Sequence, residues 1–226
     1  MTVDLARSGC QHCKARAQAF CANLPSEDLE SLERLAVRRA LADGAHLCRI
    51  DDSNDYCANV LSGMLKLQTL TGEGRAQTVA ILGPGDFFGQ LFEEHSRLAA
   101  IAAGPVTLCV YSRVALEQLA ARRPTIMRAL LSSVAGSLEI ARARQVSLAQ
   151  KTAIARLAEF LIDQPVDNDM ITLSLSRTDL ANYLGMPIET LSRQFAKLKG
   201  MGIVGFQPGS KTILVRDKIK LLQIAD

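Results

Sequence analysis

No apolar run in this 226-residue chain is long enough to cross a bilayer, where a helix needs about 20 consecutive apolar residues. The opening stretch, MTVDLARSGC, carries an acid and lacks the apolar core of a secretory leader, so a cytoplasmic protein with no membrane partner is expected. Histidine is scarce: His12, His46 and His95 are scattered and form no constellation among themselves. There is neither a phosphate-binding P-loop nor a dinucleotide fingerprint. Nothing therefore supports catalysis, and an electron carrier stands only as a remote alternative. Excess charge is also missing. A net charge of +3 fits a few phosphate contacts better than indiscriminate polyanion binding.

The small excess is unevenly shared. Residues 1–140 hold 14 basic and 15 acidic side chains, whereas residues 141–226 hold 12 basic and 8 acidic. A cationic C-terminal third fits contacts to nucleic-acid phosphates, each of which adds salt-dependent affinity.

Within that third, Ser176 to Val204 reads as two short helices joined by a tight turn. Ser176 and Asp179 have the spacing of an N-terminal cap, with the acid near the positive helix end. Leu180, Tyr183 and Leu184 supply an apolar face until Gly185 stops the helix. Pro187 then suits the first position of a second helix. There Ile188, Leu191, Phe195 and Leu198 are expected on one face and Glu189, Ser192, Arg193 and Lys197 on the other. An Arg can pair with guanine, a Glu can accept from cytosine, and a Ser can meet a base or phosphate. Thr190 and Arg177 join them as candidate DNA-binding residues. The alternative for such a face is a solvated helix laced with ion pairs.

Three of the six cysteines crowd into GCQHCKARAQAFC, with C-x2-C-x7-C spacing. Reduced cysteines in a cytoplasmic chain point to metal or redox chemistry rather than a disulfide framework. The spacing alone leaves three readings open: an iron–sulfur cluster, a zinc site completed by His12, or no metal. Cys48 and Cys57, in strand-like surroundings, read as buried structural thiols.

Residues 24–42 have helical spacing at Leu29, Leu32 and Leu35, and predict one short helix, with Arg38 and Arg39 on a solvated face. From Ala45 to Val110, short alternating runs separated by turn residues at Gly63, Gly72–Gly74 and Gly83–Asp86 predict a β-sandwich or barrel. Residues 125–152 predict one long helix. Met127, Leu131, Val134, Leu138, Ala141, Gln145 and Leu148 recur at alternating spacings of four and three, the pattern of a coiled-coil dimer seam. Beyond the second short helix, residues 202–215 predict a two-stranded wing, where Ser210 or Lys211 can touch a phosphate.

The run YLGMPIETLSRQFAKLKGMGIV resembles the C-terminal domain of the CRP/FNR family of bacterial transcription regulators. Glu189, Ser192 and Arg193 match the E-x-x-S-R signature of its FNR and FixK branch. The run SGMLKLQTLTGEGRAQTVAILGPGDFFGQ is similar to the family's cyclic-nucleotide-binding β-roll. The resemblance implies an α+β fold: a cysteine-rich segment (1–23), a β-roll sensory domain (24–124), a dimerisation helix (125–150) and a winged helix-turn-helix DNA-binding domain (151–226). It also implies a homodimer on a palindromic operator, with RNA polymerase as a further partner. FNR-type oxygen sensors carry an N-terminal cysteine cluster and a fourth ligand far downstream, and GPVTLCVYSR puts Cys109 in the matching context. Cys10, Cys13, Cys21 and Cys109 are thereby the implied [4Fe-4S] ligands. The gap before Cys21 is wider than in enteric FNR proteins. Ala141 takes a seam position that is acidic there, so constitutive dimerisation is compatible with the resemblance. Zinc, bare thiols or nitric oxide are the alternative signals. Nucleotide-binding members meet the ribose with Gly-Glu and the cyclic phosphate with Arg-Ser or Arg-Thr. Here Gly89 precedes Gln90, and Arg97 precedes Leu98 and Ala99, so no cyclic nucleotide is expected to bind.

Overall fold

Fifteen residues of alternating character, Tyr56–Leu70, form the strand on which the N-terminal half is built. In the computed structural model, which describes residues 9–10, 13–207 and 210–226, this strand (β3) pairs antiparallel with the similarly long β6, Ala99–Ser112. Preceding them are helix α1 (Ser26–Leu35) and strands β1 (Val37–Leu41) and β2 (His46–Cys48). Strands β4 (Ala76–Leu82) and β5 (Phe87–Phe88) lie between the two. The sheet order is β1-β6-β3-β4, with β2 on β6 and β5 on β3. Helix α2 (Arg113–Arg122) follows, capped by the Ser112 hydroxyl, which accepts from Ala115 N. The long helix α3 spans Pro124–Gln150.

Side chains alternate across the strands, so the sheet separates two apolar cores. Val60, Leu65, Leu108 and Val110 fill one. Cys57, Phe87, Cys109 and Tyr111 face the other, where they meet Leu29 and Leu32 of α1, Leu116 of α2, Ile126 and Leu130 of α3, and Cys10, Phe20 and Cys21 of the N-terminal segment.

Cys48, expected to be buried, is only half-buried because its strand β2 is short and pairs only with β6, and two further local expectations fail. The helix expected over residues 24–42 stops at Leu35; Ala36 is extended, and β-branched Val37 starts a strand paired with Val110. Gly63 is not a turn but a bulge inside one continuous strand, at φ +79°, where any Cβ would collide with the Pro105 carbonyl. Glycine is needed there because two backbones approach closely.

The chain divides into two compact units, the first ending at Ile140 and the second comprising Ala141–Asp226. In the second, α4 (Ala153–Ile162), capped by Thr152, is followed by β7 (Met170–Thr172), α5 (Arg177–Tyr183) and α6 (Ile188–Gly200). Strands β8 (Val204–Gly205) and β9 (Thr212–Val215) are the two strands within the expected wing, and β9 also pairs with β7 in a sheet of order β7-β9-β8. Pro208 and Gly209, part of the expected wing, lie outside the described residues. Helix α7 (Lys218–Ala225) ends the unit. Leu157, Leu161, Ile171, Leu180, Leu191 and Ile213 form its buried core. Among the described residues no helix is long and apolar enough to cross a membrane.

Leu116 is fully buried where α2 meets the cysteine-bearing core. Leu116→Ala should lower the unfolding free energy by about 2–5 kcal/mol, read as a lower denaturant midpoint. An unchanged midpoint would contradict this packing.

Candidate functional site

The N-terminal cysteines are held by a tight backbone path. Cys13 N donates to Cys10 O (3.4 Å), Arg16 N to Cys13 O (3.1 Å), and a 3-10 turn at Arg16–Gln18 brings the chain round to Cys21. Phe20 anchors this segment edge-on to Phe87 (centroids 5.3 Å) and Tyr111 (6.2 Å). Cys10, Cys21 and Cys109 are buried, at 6%, 7% and 4% exposure, while Cys13 is half-buried. All six cysteines are reduced thiols.

Electrostatics show how close these sulfurs stand. Burial pushes the Cys21 thiol up to about 11, and Cys109 and Cys13 add to the rise; Arg16 opposes it. The Cys109 thiol donates to the Tyr111 hydroxyl (3.3 Å). Burial holds the Tyr111 phenol well above its usual range, with Cys109, Cys21 and Cys10 contributing. Cys10, Cys21 and Cys109 thus lie in one buried core although Cys109 is far away in sequence, and Cys13 joins them only through its effect on Cys21. Among the described residues, no three His, Cys, Asp or Glu side chains close on a single metal ion. His12, the candidate fourth zinc ligand, lies outside the described residues.

The cysteine segment leads into α1, which grips the start of α3. Arg123 meets Glu27 at 2.6 Å and Asp28 at 3.4 Å, and the Thr125 hydroxyl donates to Asp28. Sequence reasoning missed these contacts, because charges a hundred residues apart leave no periodic trace. From Leu131 to Leu148, α3 exposes the expected seam: Leu131, Val134, Leu138, Ala141, Gln145 and Leu148 all face solvent, while Met127 packs partly against the core.

In the second unit the Ser176 hydroxyl accepts from Asp179 N (3.0 Å) and donates to its carboxylate (2.7 Å), which starts α5. Gly185 turns the chain at φ +59°, where a Cβ would crowd Leu148 and Arg156. Pro187 immediately precedes α6. Leu191, Phe195 and Leu198 are buried, while Glu189, Ser192, Arg193 and Lys197 are exposed and Thr190 is half-exposed. Ile188, expected on the apolar face, is exposed, since the first turn of α6 projects beyond the core.

Arg177 differs from the other candidates. Its guanidinium lies 3.7 Å from the Phe195 ring centroid, and burial lowers its pKa. It borders a groove of about 600 Å³ lined also by Ser192, Lys199, Ser210 and Lys211. Two further arginines brace the turn. Arg156 donates to Leu184 O (2.6 Å) and Gly185 O (3.3 Å), and Arg144 donates to Tyr183 O while lying over the Tyr183 ring. Their partners are distant backbone carbonyls, which carry no sequence signal.

Comparison with known proteins follows this geometry closely. Residues 38–123 match the cyclic nucleotide-binding domain, and residues 155–224 match the Crp-like helix-turn-helix domain. Over 223 residues the chain is 30% identical to the nitrogen fixation regulation protein FixK of Bradyrhizobium diazoefficiens, covering 96% of this chain and 94% of that one. The chain belongs to the CRP/FNR family of transcription regulators. The transcriptional activator protein FnrL of Cereibacter sphaeroides is 30% identical over 227 residues, covering 96% and 91%. The structure of FixK2 from Bradyrhizobium japonicum superposes with a TM-score of 0.78 at 30% identity, covering 84% of this chain and 98% of that one. These relatives place the chain on the FNR/FixK branch of the CRP/FNR family.

Gln90 and Arg97, the positions at which the sequence departs from the expected nucleotide-binding pairs, are engaged internally. The Gln90 amide donates to the Ser96 hydroxyl (2.7 Å) and accepts from Arg97 N (2.9 Å). The Arg97 guanidinium reaches both Glu93 oxygens at 3.0 Å.

Burial sets an alkaline limit on metal-free protein. Cys57, fully buried, is pushed up to about 12 by desolvation, with Glu117 adding and Arg113 opposing. The folded chain holds the Cys57 and Cys21 protons more tightly than an unfolded chain, whose thiols titrate near 9.0. Their stabilisation is therefore complete below about pH 9 and lost as pH rises toward 11–12. Denaturant midpoints should fall across that window, and less steeply in Cys57→Ala; equal slopes would refute the assignment.

Proposed function

We propose that this regulator senses oxygen through a [4Fe-4S] cluster held by Cys10, Cys13, Cys21 and Cys109, and that as a homodimer it binds an FNR-type palindrome and activates transcription. The observation that carries this reading is that Cys109, on β6, shares one buried core with Cys10 and Cys21, while half-buried Cys13 stands near enough to Cys21 to raise its pKa.

The donors fit the group. Sulfur is a soft ligand suited to iron–sulfur centres. Ionised sulfurs here repel one another, as the effect of Cys109 and Cys13 on Cys21 indicates, so their thiolate forms need a compensating cation. A tetrahedral zinc, with Zn–S bonds of about 2.3 Å, would draw its sulfurs to within about 4 Å of one another. When bound, the cluster supplies a redox centre whose state responds to oxygen.

The chain's own residues do the rest. Cys10, Cys13 and Cys21 fasten the N-terminal segment to the sheet through Cys109. That segment continues into α1, whose Glu27 and Asp28 hold Arg123 and Thr125 at the start of α3. Releasing the sulfurs loosens this grip, and α3 carries the exposed apolar seam that pairs two copies. The self-satisfied Gln90 and Arg97 support a sensor that does not use a cyclic nucleotide. In each half-site α6 enters the major groove. Arg193 and Glu189 read base edges, with Ser192 and Thr190 beside them, and Lys197 meets a phosphate. Arg177, stacked on Phe195, sets the cationic groove against the backbone. RNA polymerase is the partner that activation requires; FnrL is named an activator.

Anaerobic gel shifts on an FNR-type palindrome test this reading. Arg193→Ala and Glu189→Ala should each weaken binding by about 1–3 kcal/mol, roughly 5- to 150-fold. Lys197→Ala should weaken binding to all sequences and reduce the salt slope by about 1. Cys109→Ser should remove the difference between anaerobic and aerobic binding. Equal binding by wild type and both base-reading variants would refute the recognition assignment, and a Cys109→Ser protein that still responds to oxygen would refute the sensor.

A further inference from the structure

Asn59 occupies an unusual place. It is 2% exposed, and its side-chain oxygen has no hydrogen-bond partner among the described residues. A buried amide oxygen without a partner costs about 1–3 kcal/mol, so its presence in a core calls for a reason. Strand register shows where it points. On β3, Asn59 pairs directly with Cys109 of β6 on one side and with Phe87 of β5 on the other. Directly paired residues share a face of the sheet. Cys109 and Phe87 belong to the core that also contains Cys10, Cys21 and Tyr111, whereas Ala58 and Val60, the neighbours of Asn59, belong to the opposite core. The Asn59 amide therefore faces the cysteine neighbourhood.

The other side of Cys109 is also polar. Arg38 of β1 pairs with Cys109, and its Nε is likewise buried without a hydrogen-bond partner among the described residues. Cys109 is thus flanked across three strands by an amide and a guanidinium, in a core otherwise lined by Phe20, Phe87, Leu116 and Ile126.

We propose that Asn59 is a positioning and tuning residue for the iron–sulfur centre: its amide N–H donates to the sulfur shell at Cys109 when the cluster is bound. The inference rests on the cluster reading above. Rotation of the amide exchanges its oxygen and nitrogen, so the orphaned end can present its N–H donors without moving the backbone. A hydrogen bond to a cluster sulfur withdraws negative charge and stabilises the reduced form, which raises the reduction potential. Arg38 acts in the same direction through its positive charge. The amide that is a liability in the metal-free core becomes a satisfied donor in the loaded one.

The test uses this change of sign. In metal-free protein, Asn59→Leu removes the unpartnered amide oxygen while keeping the branched shape and the number of side-chain heavy atoms, so its denaturant midpoint should equal or exceed that of wild type. In anaerobically loaded protein, the same variant should have a lower midpoint potential and lose iron to a chelator about 10-fold faster or more, the size typical of groups supporting metal ligands. Asn59→Thr, which keeps a shorter donor, should fall between the two. If wild-type protein takes up no iron, this proposal and the cluster reading both fail. If Asn59→Leu holds iron with unchanged potential and release rate, or if its metal-free form is markedly less stable than wild type, only the Asn59 assignment fails.

Discussion

Antiparallel pairing of β6 with β1 and β3 is the constraint on which the sensory half depends. It turns Cys109, Tyr111 and Asn59 toward one core while Val60, Leu108 and Val110 form the other. A one-residue slip would send Cys109 to the wrong side of the sheet, since side chains alternate with a period of two. The bulge at Gly63 lets two strands of 14 and 15 residues stay paired despite their twist, and Phe20 seats the N-terminal segment over the result. The cysteine-bearing core is thus a product of sheet geometry, not of the cysteine spacing alone.

A different kind of support prepares the DNA-binding surface. Caps and a left-handed glycine define the helix-turn-helix locally, and Arg144 and Arg156 tie its turn by donating to carbonyls left open at the end of α5. Buried Leu191, Phe195 and Leu198 fix the roll of α6, which leaves Glu189, Ser192 and Arg193 outward. Rigid presentation of a few polar side chains is what base reading requires, and the cost of ordering α6 is met within the unit by packing.

What could be read from sequence was what is local. Ser176, Gly185 and Pro187 announce helix ends by chemistry confined to a few residues, and the structure has helices ending and starting there; the period of α3 announces the long helix that the structure contains. Residues 24–42 misled because Leu29, Leu32 and Leu35 set a helical rhythm that says nothing of where Val37 finds a strand partner. Gly63 misled because a bulge glycine and a turn glycine look alike until the neighbouring backbone is known. Cys109 was reached only through resemblance, since nothing in GPVTLCVYSR reports its distance from Cys10. Asn59, Arg38, Arg144 and Arg156 were invisible for the same reason: each acquires its meaning from a partner that only the fold brings near.

The account turns on what the four gathered sulfurs hold. Iron and acid-labile sulfide should be counted, together with zinc, in protein isolated without exposure to air. About four irons and four sulfides per chain, with no zinc, is the predicted result. A colourless protein containing zinc and no sulfide would contradict it.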